Sequence, residues 1–165
     1  MITLLSGCGT NDNGFSAHQK AKQVFASPYI AECSAKILSN KTENEYLYTC
    51  EKTADGDTVL DYGSIRLTLS GDSAVIENGA DNIQTAVTDN ELWLVPESYF
   101  NAYLKDGIFT ETEDGYQCKA DADINIYRKK IEIELDKKCI PVKMTLSNEN
   151  GEETIEINVK KFIQK

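Results

Sequence analysis

The sequence predicts an α+β domain in which a strongly curved antiparallel half-barrel sheet is covered by an N-terminal helix and a short central helix. Most of the chain alternates apolar and polar residues with a period of two. The runs are separated by short turns rich in Asn, Asp and Gly. Only two segments change to helical spacing. A polar face on nearly every run means a sheet solvated on one side, so the other side takes its cover from the helices.

The first helix is predicted over residues 16–26, where Ala17, Ala21, Val24 and Phe25 form an apolar stripe behind Ser16 as N-cap, and Pro28 stops it. From Tyr29 the period becomes two, with Ala31, Cys33, Ala35 and Ile37 on the same face as Tyr29. After Asn40-Lys41-Thr42, the residues Tyr46, Tyr48 and Cys50 repeat the alternation and make an antiparallel hairpin with the first run. A meander follows, with Ile65, Leu67 and Leu69 on one face and further runs at 73–77, 82–87 and 91–95. Pro96-Glu97-Ser98 then opens a short helix carrying Tyr99, Phe100, Tyr103 and Leu104, placed to act as a lid. The last third returns to strands around Ile124 and Ile126, around Ile131, Ile133 and Leu135, and around Val142, Met144 and Leu146. Asn148-Glu149-Asn150-Gly151 turns the chain into Ile155, Ile157 and Val159.

A chain of 165 residues with 41% hydrophobic content closes one core, and a domain of this size buries about 68–70% of its unfolded surface. Twenty-seven acidic against 17 basic residues leave a net charge of -10. That balance disfavours nucleic-acid binding, which needs a basic stripe to release counterions. Lys160, Lys161 and Lys165 are a local basic excess, read as a solvated, frayed end.

Leu5-Ser6-Gly7-Cys8 fits the bacterial lipobox, in which a leucine and two small residues present a cysteine for thioether lipidation and cleavage. Cys8 is therefore the expected lipidation site. Residues 1–14 read as a partial lipoprotein signal, the lipobox and a flexible tether; residues 15–165 read as a single domain. A lipid on Cys8 implies an extracytoplasmic, membrane-anchored protein.

The order of helix, meander, mid-chain helix and closing strands resembles the LolA/LolB-type lipoprotein-carrier family. The likeness rests most on the closing run Lys137-Lys138-Cys139-Ile140-Pro141, Val142-Lys143-Met144-Thr145-Leu146, the Asn150-Gly151 turn and Glu153 to Phe162. It spans about residues 15–165. The family implies a half-barrel over an apolar cavity that holds acyl chains, and candidates to line it are Ile65, Leu67, Ile133 and Met144. Among lipidated members the chain is most similar to GerS-type germination lipoproteins of spore-forming clostridia. That similarity rests on overall texture, an acidic, Tyr-rich, Cys-containing domain behind a lipobox, and it implies a non-enzymatic partner for a CwlD-type cell-wall amidase of the spore cortex. The alternative implied by the same family is a carrier holding an acyl chain.

No residue pattern points to catalysis or to a cofactor. The one histidine, His18, falls inside the first helix and reads as a packed or half-exposed helix residue. Cys33, Cys50, Cys118 and Cys139 lack the paired spacing of a zinc site, so no metal is expected. Alternating acids such as Asp121, Asp123, Glu132 and Glu134 read as a solvated strand face. The glycines match no phosphate-binding loop.

With Cys8 lipidated, four cysteines remain in an exported domain. Two readings stand: disulfides, with Cys33 and Cys50 the preferred pair because a turn near 41–42 would set them about opposite, or free buried thiols packing as small hydrophobes. Trp93, Tyr99, Phe100 and Tyr103 read either as core or as a sticky rim for a ligand or protein. A meander behind a hinged helix also allows a homodimer by domain swapping.

Overall fold

A computed structural model describes residues 12–102, 104–105, 107–122 and 130–165, without the side chains of Asp12, Asn13, Asp89, Leu104 and Lys105. Cys8 with its lipobox, Tyr103, Asp123, Ile124 and Ile126 lie outside the described residues.

The chain opens with α1 (Asp12–Val24), followed by the two 11-residue strands β1 (Tyr29–Ser39) and β2 (Thr42–Lys52). Then come β3 (Thr58–Asp61), β4 (Ile65–Ser70), β5 (Ser73–Asn78) and β6 (Asp81–Ala86). Two short helices, α2 (Asp89–Leu92) and α3 (Pro96–Asn101), precede the two-residue strands β7 (Leu104–Lys105) and β8 (Thr110–Glu111). The chain ends with β9 (Gly115–Ala122), β10 (Lys130–Asp136), β11 (Pro141–Ser147) and β12 (Thr154–Gln164).

All strands join one antiparallel, curved and unclosed sheet in the order β6-β5-β4-β3-β2-β1-β12-β11-β10-β9-β7, with β8 also on β9. The expected architecture is the one observed. β1 and β12 form the centre and pair from Tyr29↔Gln164 to Leu38↔Thr154. Lys160 is the extra residue of a bulge there, since Glu32 pairs with Lys161 and Cys33 with Val159.

The β1–β2 hairpin turns on Asn40 and Lys41 alone, at φ 52° and 63°, the left-handed pair that a two-residue hairpin requires. This register sets Cys33 opposite Tyr48 and Cys50 opposite Ala31. The cysteines expected to face each other are thus two residues out of step. In the structure the four described cysteines are buried, unbonded thiols.

α1 starts earlier than predicted, so Ser16 lies within the helix and Asp12 to Gly14 belong to it. Gly14 sits against the chain at Phe109: a Cβ there would lie 1.9 Å from the Phe109 carbonyl oxygen. The run 91–95 is not a strand. The Glu91 carboxylate reaches back to Thr88, accepting from its backbone N–H at 2.8 Å and from its hydroxyl, the Glu-to-N-cap half of a capping box, which starts α2 instead. β3 and β9 carry weaker alternation and were missed in the sequence.

The concave face holds the core. Ala17 and Ala21 of α1 and Phe25 just after it are buried over it, as are Tyr99 and Phe100 of α3. Phe25 touches the rings of Phe100 at 5.1 Å and Tyr29 at 5.3 Å; Tyr29 stacks on Phe162 at 5.0 Å, and Phe100 on Phe109 at 6.4 Å. Among the described residues no helix is long and apolar enough to cross a membrane.

Candidate binding surface

The sequence-predicted site residues fall into two environments. Ile133 and Met144 pair directly across β10 and β11 and are fully buried, packed in the common core. Leu67 is 7% exposed and belongs to the same core, but Ile65, at the start of β4, is 41% exposed. Three of the four cavity candidates therefore share the common core, and Ile65 alone of the four is on the surface.

The four thiols are held in neutral form. Burial pushes Cys33 up to about 12, although the Tyr48 hydroxyl partly offsets this, and burial also raises Cys50, Cys118 and Cys139. A thiol that stays protonated at neutral pH is a poor nucleophile and a poor metal ligand. Cys50 contacts the Tyr29 hydroxyl at 3.8 Å, and burial raises that phenol too. Cys118 sits opposite Ile133, and Cys139 occupies the β10–β11 turn at φ 64°.

His18 lies half-buried on α1 with its ring 5.9 Å from Phe109, and its Nε2 has no hydrogen-bond partner among the described residues. Desolvation, helped by Lys22, lowers its pKa, so it is neutral at pH 7. Glu132 pairs with Lys119 at 3.0 Å on the solvated face of β9 and β10, as alternating acids on a strand usually do. No group of three His, Cys, Asp or Glu is placed to hold a metal ion among the described residues.

The aromatic cluster is core. Trp93, Tyr99 and Phe100 are all buried; Tyr99 donates to the Trp93 carbonyl at 3.2 Å, and the two rings meet edge to face at 5.1 Å. Tyr48 donates to the Leu94 carbonyl at 2.7 Å, which fixes the segment after α2 against β2.

Two open grooves lie among the described residues. One, of about 490 Å³, is flanked by Glu32, Leu47, Asp61, Tyr62 and the bulge residue Lys160; the other, of about 280 Å³, is lined by Thr112, Asp114, Glu134 and Asp136, among others. Cys33 also lines the first groove, and burial keeps its thiol protonated.

A surface feature that sequence reading missed lies on the concave face. Ala31, Cys50, Leu60, Leu67, Ile76 and Ile83 stand in register on six successive strands, β1 to β6. The first three are fully buried, Leu67 nearly so, Ile76 partly, and Ile83 is 61% exposed. The row leaves the core and reaches solvent at the edge strand. Ile65 and Tyr46, also exposed, flank it on the same face.

No family model matches the chain, and no curated protein matches it in sequence. Solved structures similar to it include an uncharacterized conserved protein from Thermus thermophilus, at 11% identity and TM-score 0.58, with 93% of this chain and 88% of that chain covered. They also include a LolA superfamily protein from Nitrosomonas europaea, at 10% identity and TM-score 0.48, covering 92% and 93%. The lipoprotein LppX of Mycobacterium tuberculosis follows at 8% identity and TM-score 0.49, covering 93% and 96%. At these identities the likeness is one of fold.

Proposed function

We propose that this chain is the exported, non-catalytic part of a bacterial lipoprotein, held at a membrane surface by a lipid on Cys8, and that it works by contact with another protein. The partner we propose is a spore-cortex N-acetylmuramoyl-L-alanine amidase of the CwlD type, which the domain activates or stabilises for cortex modification and germination. That partner follows from the resemblance to GerS and would place the protein in the spore envelope.

The observation that supports contact over carriage is the packing of the concave face. Where an acyl-chain carrier needs a hollow, the rings of Phe25, Tyr29, Phe100, Phe109 and Phe162 pack against one another, and Ile133 and Met144 are fully buried in the common core. The test is a pull-down of the amidase by the purified domain, with amidase activity measured with and without it. Complex formation and activation are expected; neither complex nor activation would reject the partner. Cys8→Ser should move the protein from the membrane to the soluble fraction.

One observation favours the carrier reading. Ile65 and Ile83 leave apolar surface exposed at one end of the half-barrel, where an acyl chain could lie. Mass spectrometry of solvent-extracted protein separates the readings, since a carrier releases stoichiometric lipid.

A further inference from the structure

A sheet end left open is normally guarded. Natural edge strands are shortened, bulged or armed with Lys or Pro, because their free N–H and C=O groups otherwise template another strand. The far end of this sheet follows that rule: the edge strands on β9 are β7 and β8, of two residues each. β6 does not. It is six residues long, all six are exposed, and its register with β5 runs unbroken from Ser73↔Ala86 to Asn78↔Asp81. Its sequence Asp81-Asn82-Ile83-Gln84-Thr85-Ala86 contains neither Lys nor Pro.

The side chains beside this edge select the occupant. The apolar row through Leu67 and Ile76 ends on Ile83, 61% exposed, and nothing among the described residues covers it. A strand laid along β6 would continue that row by one residue. Charge adds the second requirement. Between Arg66 and Lys105 the sequence has no Lys, Arg or His but six acids, Asp72, Glu77, Asp81, Asp89, Glu91 and Glu97. Two of them stand at its ends: Asp81 begins β6, and Asp72, whose carbonyl accepts from Val87, stands where β6 ends; Glu77, opposite Asn82, has Arg66 of β4 across from it on the other side. A second copy of this chain would bring like charge to like. A basic strand would not.

We propose that the open edge of β6 receives an extended segment of a partner protein, with alternating apolar and basic residues, as one further strand of the sheet. Main-chain hydrogen bonds supply the pairing, Ile83 the landing point for one apolar side chain, and the surrounding acids the preference for Lys or Arg. This rests on the protein-contact reading above and adds the surface and the chemistry of the segment.

The probe is a ten-residue peptide of alternating Lys and Val, with a Glu and Val peptide as control, titrated against the full chain under hydrogen exchange. The Lys peptide should slow exchange at residues 81–86, bind more weakly as salt rises, and lose about tenfold in affinity to Ile83→Lys, an exposed change whose fold circular dichroism verifies. No binding at millimolar peptide, protection elsewhere, equal binding of the Glu peptide, or indifference to Ile83→Lys would each overturn the proposal. The two readings fail separately. An amidase that binds and is activated by the wild-type and Ile83→Lys chains alike leaves the proposed partner standing and removes this surface; a β6-directed peptide without amidase binding does the reverse.

Discussion

Lys52 Nζ on β2 lies 2.8 Å from Oε1 and 2.9 Å from Oε2 of Glu97 on α3, and it also donates to the Phe25 carbonyl just beyond α1 at 2.9 Å. One ammonium thus ties the central helix, the end of the first helix and the sheet together. Both side chains are about one-fifth exposed, so water competes only partly. Glu97→Ala should lower stability by about 1–3 kcal/mol, since it leaves a partly buried ammonium short of acceptors. Urea unfolding reads the change, and Glu97→Gln should recover part of the loss by keeping one acceptor.

Gly14 is a packing requirement and not a hinge. A methyl group at this position meets the Phe109 carbonyl oxygen, so Gly14→Ala should force α1 off the 107–110 segment. A loss of about 1–3 kcal/mol is expected, of the kind that overpacking produces, whereas the same substitution in an exposed helix usually stabilises. Thermal unfolding of the two proteins side by side checks it.

The contact of Glu91 with Thr88 predicts a local effect. Glu91→Ala should cost about 1 kcal/mol and fray α2, loosening the buried Trp93 that follows it. Trp93 is the single tryptophan, so its emission should shift to the red well before global unfolding.

Alkaline pH should destabilise the domain. Burial raises Cys33 from an ordinary value of 9.0 to about 12 and Tyr62 from 10.0 to about 12, and it raises Cys50, Tyr29 and Tyr48 as well. The folded chain therefore holds protons that the unfolded chain releases. The stabilisation is complete below the ordinary values and is lost as pH rises toward about 12. Urea midpoints should be level from pH 7 to 8 and fall beyond about pH 9, and Cys33→Ala should make that fall shallower. The four buried thiols should resist alkylation at pH 8 until denaturant is added.

Much of the architecture was legible because period-two alternation survives wherever one face is buried and the other wet. β1, β2, β4, β10, β11 and β12 all carry it, and their turns carry Asn and Gly. β9 was illegible because Gln117, Lys119 and Asp121 alternate with Cys118, Ala120 and Ala122, whose small side chains give a faint apolar signal. The segment 91–95 misled because Leu92, Leu94 and Val95 look like a strand until the Thr88–Glu91 cap is weighed. The C-terminal lysines, read as a frayed end, instead belong to β12 and its close: Lys161 pairs with Glu32 at 3.2 Å and Lys165 with Glu51 at 2.7 Å. The exposed end of the Ile83 row could not be seen in one sequence, because it depends on the register of six strands at once.

The pairing of β1 with β12 also governs how the chain finds its fold. Among the described strands, the sheet's two halves, β2 to β6 and β7 to β11, are hydrogen-bonded together only through that seam, whose partners stand as far apart in sequence as Tyr29 and Gln164. Closing so long a loop comes before the contacts that reward it, so folding should be slow and set by this one step. A ribosome-bound chain halted before residue 154 lacks the strand that joins the halves. Until β12 arrives, the meanders are two separate, unfinished sheets.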